Sequence, residues 1–373
     1  MKIAVLHGSN DSYGATRVLG QEVECLVRLG HEVSIVVPHA GPLAEDLEHL
    51  GGAVTVVVDP TLCVLRRSRI RDVLRPPSLR PEAAEADLVV LWTLALAAYI
   101  PVLRLHRKSF YVSVHELLTG TAGGLLVRLL LATGRFPVAA CSAAAADWLH
   151  THGVARGRLT VTFPIFNPVT NLPHPQPHEP ATFAVIGRVN GRKGHLDVLR
   201  AMQTDKTDAP PWRLLLFGAP FPGQEDALTE LLAAAADDPR IEYRGEAPSL
   251  AAIANDIDAV LSFPNRPESF GLVPVEAWRL GLRAAGYAEG GAAEVLDIVG
   301  GIGVPRTSDT ASDVRAALRS LHQAIRQDHE LPPPALVNPL FSTDRRLVLL
   351  GGIIRAAVTP SRARRQAHKQ ASA

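Results

Sequence analysis

Lys2-Ile-Ala-Val-Leu-His7 is an apolar run of strand length. A turn-rich stretch, Gly8-Ser-Asn-Asp-Ser-Tyr-Gly14, follows it, and residues 15–29 then carry apolar side chains at helical spacing. Gly30 stops that helix, and after His31-Glu32 the β-branched run Val33-Ser-Ile-Val-Val37 opens a second strand. Strand, helix and strand in this order form a βαβ unit, whose crossover makes the two strands parallel.

The same rhythm continues outward. Residues 53–58, 88–92, 110–114 and 138–141 are further strand candidates, most of them separated by enough chain for a crossover. Residues 164–180 hold six prolines, which suits an extended, semi-rigid connector and places the interdomain boundary there. The second half restarts with strands at 182–186, 213–217, 241–243, 259–263 and 283–287, and with helices at 194–202, 225–236, 250–255 and 274–280. The expected fold is α/β with two doubly wound, Rossmann-like domains, 1–168 and 181–338, joined by a Pro-rich linker at 169–180. Residues 339–373 should form a closing helix, weakened by Gly351-Gly352, that packs back on the first domain and ends in a basic tail. Ligands of doubly wound sheets bind beyond the carboxyl ends of the strands, so the two domains should face each other across a ligand cleft.

Composition agrees with this size class. A chain of 373 residues exceeds one ordinary core, and 47% hydrophobic with 20% charged residues describes a globular protein. A net charge of +1 gives no global attraction to nucleic acid. Charge is uneven, with 11 Arg and Lys against 5 Asp and Glu over residues 61–135, and 7 against 1 from residue 341 onward. These runs are either a solvated face with a frayed tail or an attraction to an anionic membrane surface, worth about 1 kcal/mol per basic residue. Cys25, Cys63 and Cys141 are scattered and odd in number, which disfavours a disulfide framework or a cysteine zinc site and suits a reducing cytoplasm. The opening apolar run is too short for a signal peptide before Ser9-Asn10-Asp11 interrupts it, and the longest one, 88–103, is too short for a bilayer and carries Pro101. The expected location is the cytoplasm, with peripheral attachment at the inner membrane face.

Chemistry concentrates in two segments. Gly187-Arg188-Val-Asn-Gly-Arg-Lys193-Gly194 lies between a strand and a helix, where backbone N–H groups and the helix dipole suit a diphosphate and where Arg188 and Lys193 can neutralise it. Taken alone, the pattern also fits basic residues in an exposed loop. The second segment is Glu268-Ser269-Phe270-Gly271-Leu272-Val273-Pro274-Val-Glu276. Pro274 at the first helical position would set the amides of residues 270–273 before a helix start, with Glu276 in its first turn. Two carboxylates there can accept hydrogen bonds from vicinal hydroxyls of a sugar and of a ribose; an exposed loop Glu and an ordinary first-turn Glu would read the same.

This pattern resembles the Glu-x7-Glu motif of retaining glycosyltransferases of family 4, which have the GT-B fold, and the resemblance covers almost the whole chain. It implies that Arg188 and Lys193 bind the diphosphate, that Glu268 and the loop Ser269–Val273 meet the donor sugar, and that Glu276 binds the ribose. Gly290-Gly291-Ala-Ala-Glu294-Val is similar to the family's following Gly-Gly-x-x-Glu-Val. His115 in Ser113-Val-His-Glu116 resembles the family's histidine beside the donor sugar, and the loop holding Gly14 and Ala15 resembles its glycine-rich first loop. The base of the nucleotide is expected near Tyr243 and Arg244. Two positions depart from the pattern: Arg283 stands where the family usually has Pro, and the first loop has one glycine where relatives often have two.

The resemblance implies transfer with retention, without cofactor or bound metal, from a nucleotide-diphosphate sugar to a hydroxyl of a glycan, lipid-linked or small-molecule acceptor. Electrostatic stabilisation of the leaving diphosphate and alignment of the acceptor would supply the rate, with no protein nucleophile. Asp256-Ile-Asp258 has the form of a metal-binding Asp-x-Asp but precedes its strand, away from the expected site. The alternatives are a non-catalytic sugar-nucleotide-binding relative, or an epimerase or phosphorylase on the same fold.

Overall fold

The computed structural model describes residues 1–11, 14–65, 77–118, 120–204, 212–220 and 223–371, with side chains up to residue 359. Ser12 and Tyr13 of the first loop, the basic residues within 66–76 and the basic side chains from 360 onward lie outside the described residues.

The chain forms two compact units, residues 1–167 with 339–373, and residues 168–338. The first holds β1 (Lys2–His7), β2 (Glu32–Val37), β3 (Val54–Val58), β4 (Leu88–Trp92), β5 (Phe110–Val114), β6 (Val138–Ala140) and β7 (Leu159–Val161), in spatial order β3-β2-β1-β4-β5-β6-β7. The second holds β8 (Thr182–Ile186), β9 (Arg213–Phe217), β10 (Ile241–Tyr243), β11 (Ala259–Ser262), β12 (Arg283–Tyr287) and β13 (Ile302–Val304), in order β10-β9-β8-β11-β12-β13. Neighbouring strands pair in parallel throughout, for example Ile3 with Val33 and Val260 with Ala284. Parallel sheets of this kind are covered on both faces, and all five residues of β4 and of β5 are buried accordingly.

Alternation along the strands divides the second core. Phe183, Val185, Leu214, Leu216 and Leu261 face one helical layer, which contains Val198, Leu199 and Leu318. Ala184, Leu215, Phe217 and Val260 face the other, with Ile253, Ala277 and Leu296. Each large side chain removed from water in this way contributes about 1.5–3 kcal/mol.

Three expectations need correction. The proline segment, expected as a semi-rigid connector over 169–180, is part of the second unit, to which residues from 168 onward belong. There Pro173 presses its carbonyl against Gly281, and His178 donates its amide to Asp258 at 2.9 Å. Helix Leu272–Arg279 starts two residues before Pro274, because Gly271 takes a positive φ of 94° at the cap and Pro274, which lacks only an N–H that is unused in a first turn, fits the third position. Glu276 is therefore the fifth helical residue and no longer a first-turn acid. The final helix, Thr343–Ala371, continues through Gly351-Gly352 because Leu350, Ile353, Ile354 and Ala357 bury one face against helix Gly14–Arg28 and β4 and β5.

Candidate active site

In a doubly wound sheet the strand order reverses at one point, and the crevice for a ligand opens there. In the second unit that point lies between β8 and β11. The loop after β8 carries Arg188 and Lys193, the loop after β11 carries Glu268, and the two meet: Lys193 Nζ lies 2.5 Å from Glu268 Oε1. Both side chains keep solvent access, at 39% and 19% exposure, so an arriving ligand can exchange with either partner. The loops are also joined by their backbones, since Asn265 donates its amide to Arg192 O at 2.9 Å and its Nδ2 to Gly191 O at 2.7 Å. Arg306, stacked on Tyr287 at 3.7 Å, donates to Pro264 O at 2.6 Å and to Glu289 at 2.9 Å, and so braces the same loop from the β13 side.

Glycine makes these approaches feasible. At Gly194, with φ 82°, an added Cβ would fall 2.1 Å from the Phe263 carbonyl oxygen. At Gly291 it would fall 2.1 Å from Ser269 O, while the Gly291 amide donates to Glu268 O at 2.8 Å. The Gly290-Gly291 pair thus exists so that helix Gly290–Val299 can start against the back of the Glu268-Ser269 turn. Helix N-termini at His195, Leu272 and Gly290 follow β8, β11 and β12, each supplying partial positive charge at the carboxyl end of the sheet. Phe270 and Gly271 are buried, whereas Ser269, Leu272, Val273 and Glu276 are partly exposed.

Tyr243 ends β10, two strands away from β8, and Arg244 follows it. The Tyr243 hydroxyl donates to Gly218 O at 2.6 Å, and Arg244 pairs with the exposed Glu242 at 2.6 Å, so neither side chain joins the Lys193–Glu268 pair. Arg283 donates to the carbonyl of His329, a local structural use of the residue that departs from the family's proline. Asp258 spends its carboxylate on the amides of His178 and Thr182, at 2.9 and 2.6 Å, and on the His178 ring.

The first unit reverses between β1 and β4, and its polar residues gather at the carboxyl ends of β1, β4 and β5. His115, just past β5, stacks on Trp92 with ring centroids 4.3 Å apart and shares a 2.9 Å hydrogen bond with Ser113 Oγ. Trp92 Nε1 donates to Ala15 O at 3.0 Å, which fixes the first turn of the helix that Gly14 opens. Thr16 gives its one hydroxyl proton to Asp11, so at the 3.0 Å contact with His7 Nε2 the imidazole must be the donor. His7, Trp92 and Glu116 escaped the sequence reading, although their positions at the ends of the strands flanking the reversal are the signal that could have found them.

Burial lowers the His115 imidazole to about 3, helped by the charge of Arg346, and lowers His7 to about 4. Burial raises the Glu116 carboxyl to about 6. The signs oppose. Below the ordinary histidine value of 6.5 the unfolded chain binds protons that these folded imidazoles refuse, so stability drains away as pH falls toward 3–4. The folded Glu116 takes up its proton earlier than an unfolded carboxyl at 4.5, so acidification from about 6 to 4.5 returns some stability. The imidazole shifts are the larger, and urea denaturation should show stability falling from pH 7 to pH 4. Glu116→Gln removes the offset and should steepen that fall between pH 6 and 4.5; an unchanged slope would contradict the assignment.

Two doubly wound parallel sheets, each with its polar residues at the strand reversal, define a GT-B type of protein. The family model described as Glycosyl transferases group 1 matches residues 172–319, and that described as Glycosyltransferase Family 4 matches residues 13–167. The chain belongs to the group 1, family 4-type glycosyltransferases. Among solved structures it is similar to HepE of Anabaena in complex with UDP and glucose, with a TM-score of 0.71, 17% identity, and coverage of 94% of this chain and 98% of that one. It is also similar to a glycosyltransferase from Rickettsia africae, with a TM-score of 0.69, 15% identity and coverage of 96% and 99%. The pneumococcal O-GlcNAc transferase GtfA in complex with UDP and GlcNAc gives a TM-score of 0.64 at 12% identity, with coverage of 96% and 99%. At these identities the likeness carries the fold alone. No curated protein is a significant sequence match.

Proposed function

We propose that this glycosyltransferase moves a sugar, with retention of configuration and without a metal ion, from a nucleotide-diphosphate sugar held in its second unit. The observation that carries the reading is the meeting of Lys193 and Glu268 at the strand reversal, in loops whose glycines bring three helix N-termini close by. A diphosphate arriving there takes over Lys193 and gains Arg188, and Glu268 is released to accept hydrogen bonds from the donor sugar. Glu276 is assigned to the ribose and His115, neutral at pH 7, to a sugar hydroxyl. HepE and GtfA were each solved with UDP, which makes a uridine nucleotide the first donor to test. The cationic side chains and helix ends supply the charge that a metal ion supplies elsewhere, and Asp258 of the Asp-x-Asp is already consumed by backbone amides.

Thermal unfolding with a panel of nucleoside diphosphates and nucleotide sugars, in EDTA, tests the donor reading. A matching nucleotide at 100 times its Kd should stabilise the protein by about 2.7 kcal/mol. Failure of the whole panel would overturn the donor site, and a shift seen only with added divalent cation would overturn metal independence. NMR of the product's anomeric proton distinguishes retention from inversion.

The acceptor is proposed to be a glycan or lipid-linked molecule met at an anionic membrane surface. Among the described residues no helix is long and apolar enough to cross a membrane. Leu105, Leu125 and Leu129 are 80%, 56% and 61% exposed, and exposed Arg104, Arg107, Arg128 and Arg135 lie in the same two helical segments or directly after them. Arg104 reaches Thr133 at 3.2 Å, which brings the segments together. Exposed leucines among arginines suit the interface of an anionic bilayer. The protein should co-sediment with phosphatidylglycerol vesicles in preference to phosphatidylcholine, and Leu125→Asp with Leu129→Asp should weaken this severalfold; equal binding by the double variant would refute the surface.

A further inference from the structure

Thr93, which follows β4, has φ 86° and ψ 156°, a conformation that β-branched side chains rarely adopt and that puts substantial strain on the backbone. It is buried and sits at the strand reversal of the first unit, directly after Trp92, the residue on which His115 stacks. Strain of this size persists only where the surroundings impose it. Here one side chain does so: both carboxylate oxygens of Glu116 accept from the Leu94 amide at 3.2 Å, and Oε2 accepts from the His115 amide at 3.1 Å. The Thr93 amide donates to Ser113 O at 2.8 Å, so the ends of β4 and β5 are joined on both sides of the carboxylate.

We infer that Glu116 is a positioning residue: by gripping the strained Thr93-Leu94 turn and the His115 amide together, its carboxylate fixes the His115 ring against Trp92 for sugar transfer. A carboxylate suits this position because it accepts on every side, whereas an amide side chain would aim its own N–H₂ at one of the two backbone donors.

This rests on the proposed transferase reading, and the test separates the two. In the full chain, Glu116→Gln should lower kcat by between about tenfold and a hundredfold, the effect of a slightly misplaced group, with donor KM changed less than about twofold. Thr93→Gly adopts the same φ without strain, so in that background Glu116→Gln should cost less in kcat, by about tenfold, as for residues of one hydrogen-bond network. The coupling is also read in urea denaturation, where Glu116→Gln should lower the midpoint more with Thr93 present than with glycine. A wild-type kcat in Glu116→Gln, or equal costs in both backgrounds by both measures, overturns the inference. Should the unaltered protein show no transfer with any donor, the transferase reading fails, and the denaturation cycle alone still decides whether Glu116 holds the strained turn.

Discussion

Lys193→Ala in the full chain is expected to lower kcat for sugar transfer by about 10²–10³-fold, the usual loss when one preorganised group facing developing charge is removed. Arg188→Ala should fall in the same range. The departing diphosphate gathers negative charge as the anomeric bond breaks, and the loop after β8 presents these cations together with the N-terminus of helix His195–Gln203. Lysine cannot be replaced by arginine without cost, because a compact ammonium on a flexible stem is exchanged for a planar fork. Stability should change little: the Lys193–Glu268 pair is partly solvated, and such pairs contribute about 0–1 kcal/mol. The thermal midpoint is therefore expected to move by only a few degrees while turnover collapses. Unchanged transfer rates in either variant would remove the pair from the site, and a large drop in midpoint would make the loss of rate a folding effect.

Arg346→Met should have the largest effect on stability, about 3–5 kcal/mol, as when one partner of a buried ion pair is removed. Arg346, on the final helix, and Glu22, on helix Gly14–Arg28, are 2% and 1% exposed and lie 3.1 Å apart. Glu22 also accepts from the Tyr111 hydroxyl at 2.9 Å, and Arg346 donates to Phe163 O at 2.8 Å. The pair thus ties the last helix to the first, to β5 and to the segment after β7. Burial and the Glu22 charge push the neighbouring Cys25 thiol up to about 11, and the Tyr111 hydroxyl moves in the same direction for the same reasons. Removing the guanidinium leaves a buried carboxylate with one neutral donor. The variant Glu22→Leu with Arg346→Met removes both charges and should recover most of the loss, since well-packed apolar replacements of such pairs are often neutral. Guanidinium denaturation of the two variants decides the point; a loss below about 1 kcal/mol in the single variant would contradict it.

The central strands were legible because they are buried on both faces and so read as continuous apolar runs: 2–7, 88–92, 110–114 and 182–186 appear where the structure has them. The strands that escaped notice, Leu159–Val161 and Ile302–Val304, are each three residues long and stand at sheet edges, where one missing neighbour weakens the demand for apolar residues. Pro274 resembles an N-terminal signal and so predicts a helix start two residues after the true one at Leu272, whereas Gly271, with its positive φ, is what turns the chain.

At the site, short local patterns point to Arg188, Lys193 and Glu268 as candidates, and the resemblance to the family's motifs is what assigns roles to them and to His115. Residue type and spacing along one segment suffice to place these residues in strand-to-helix loops and at helix starts, because such features are made by short-range chemistry. The 2.5 Å meeting of Lys193 with Glu268 across 75 residues of chain was decided by the strand order, which places β8 beside β11. The same holds for Glu116 on the Thr93 turn and for Arg346 on Glu22, 324 positions apart in number. Such contacts depend on which strands become neighbours and which helix covers which face, and those are properties of the packed sheet as a whole.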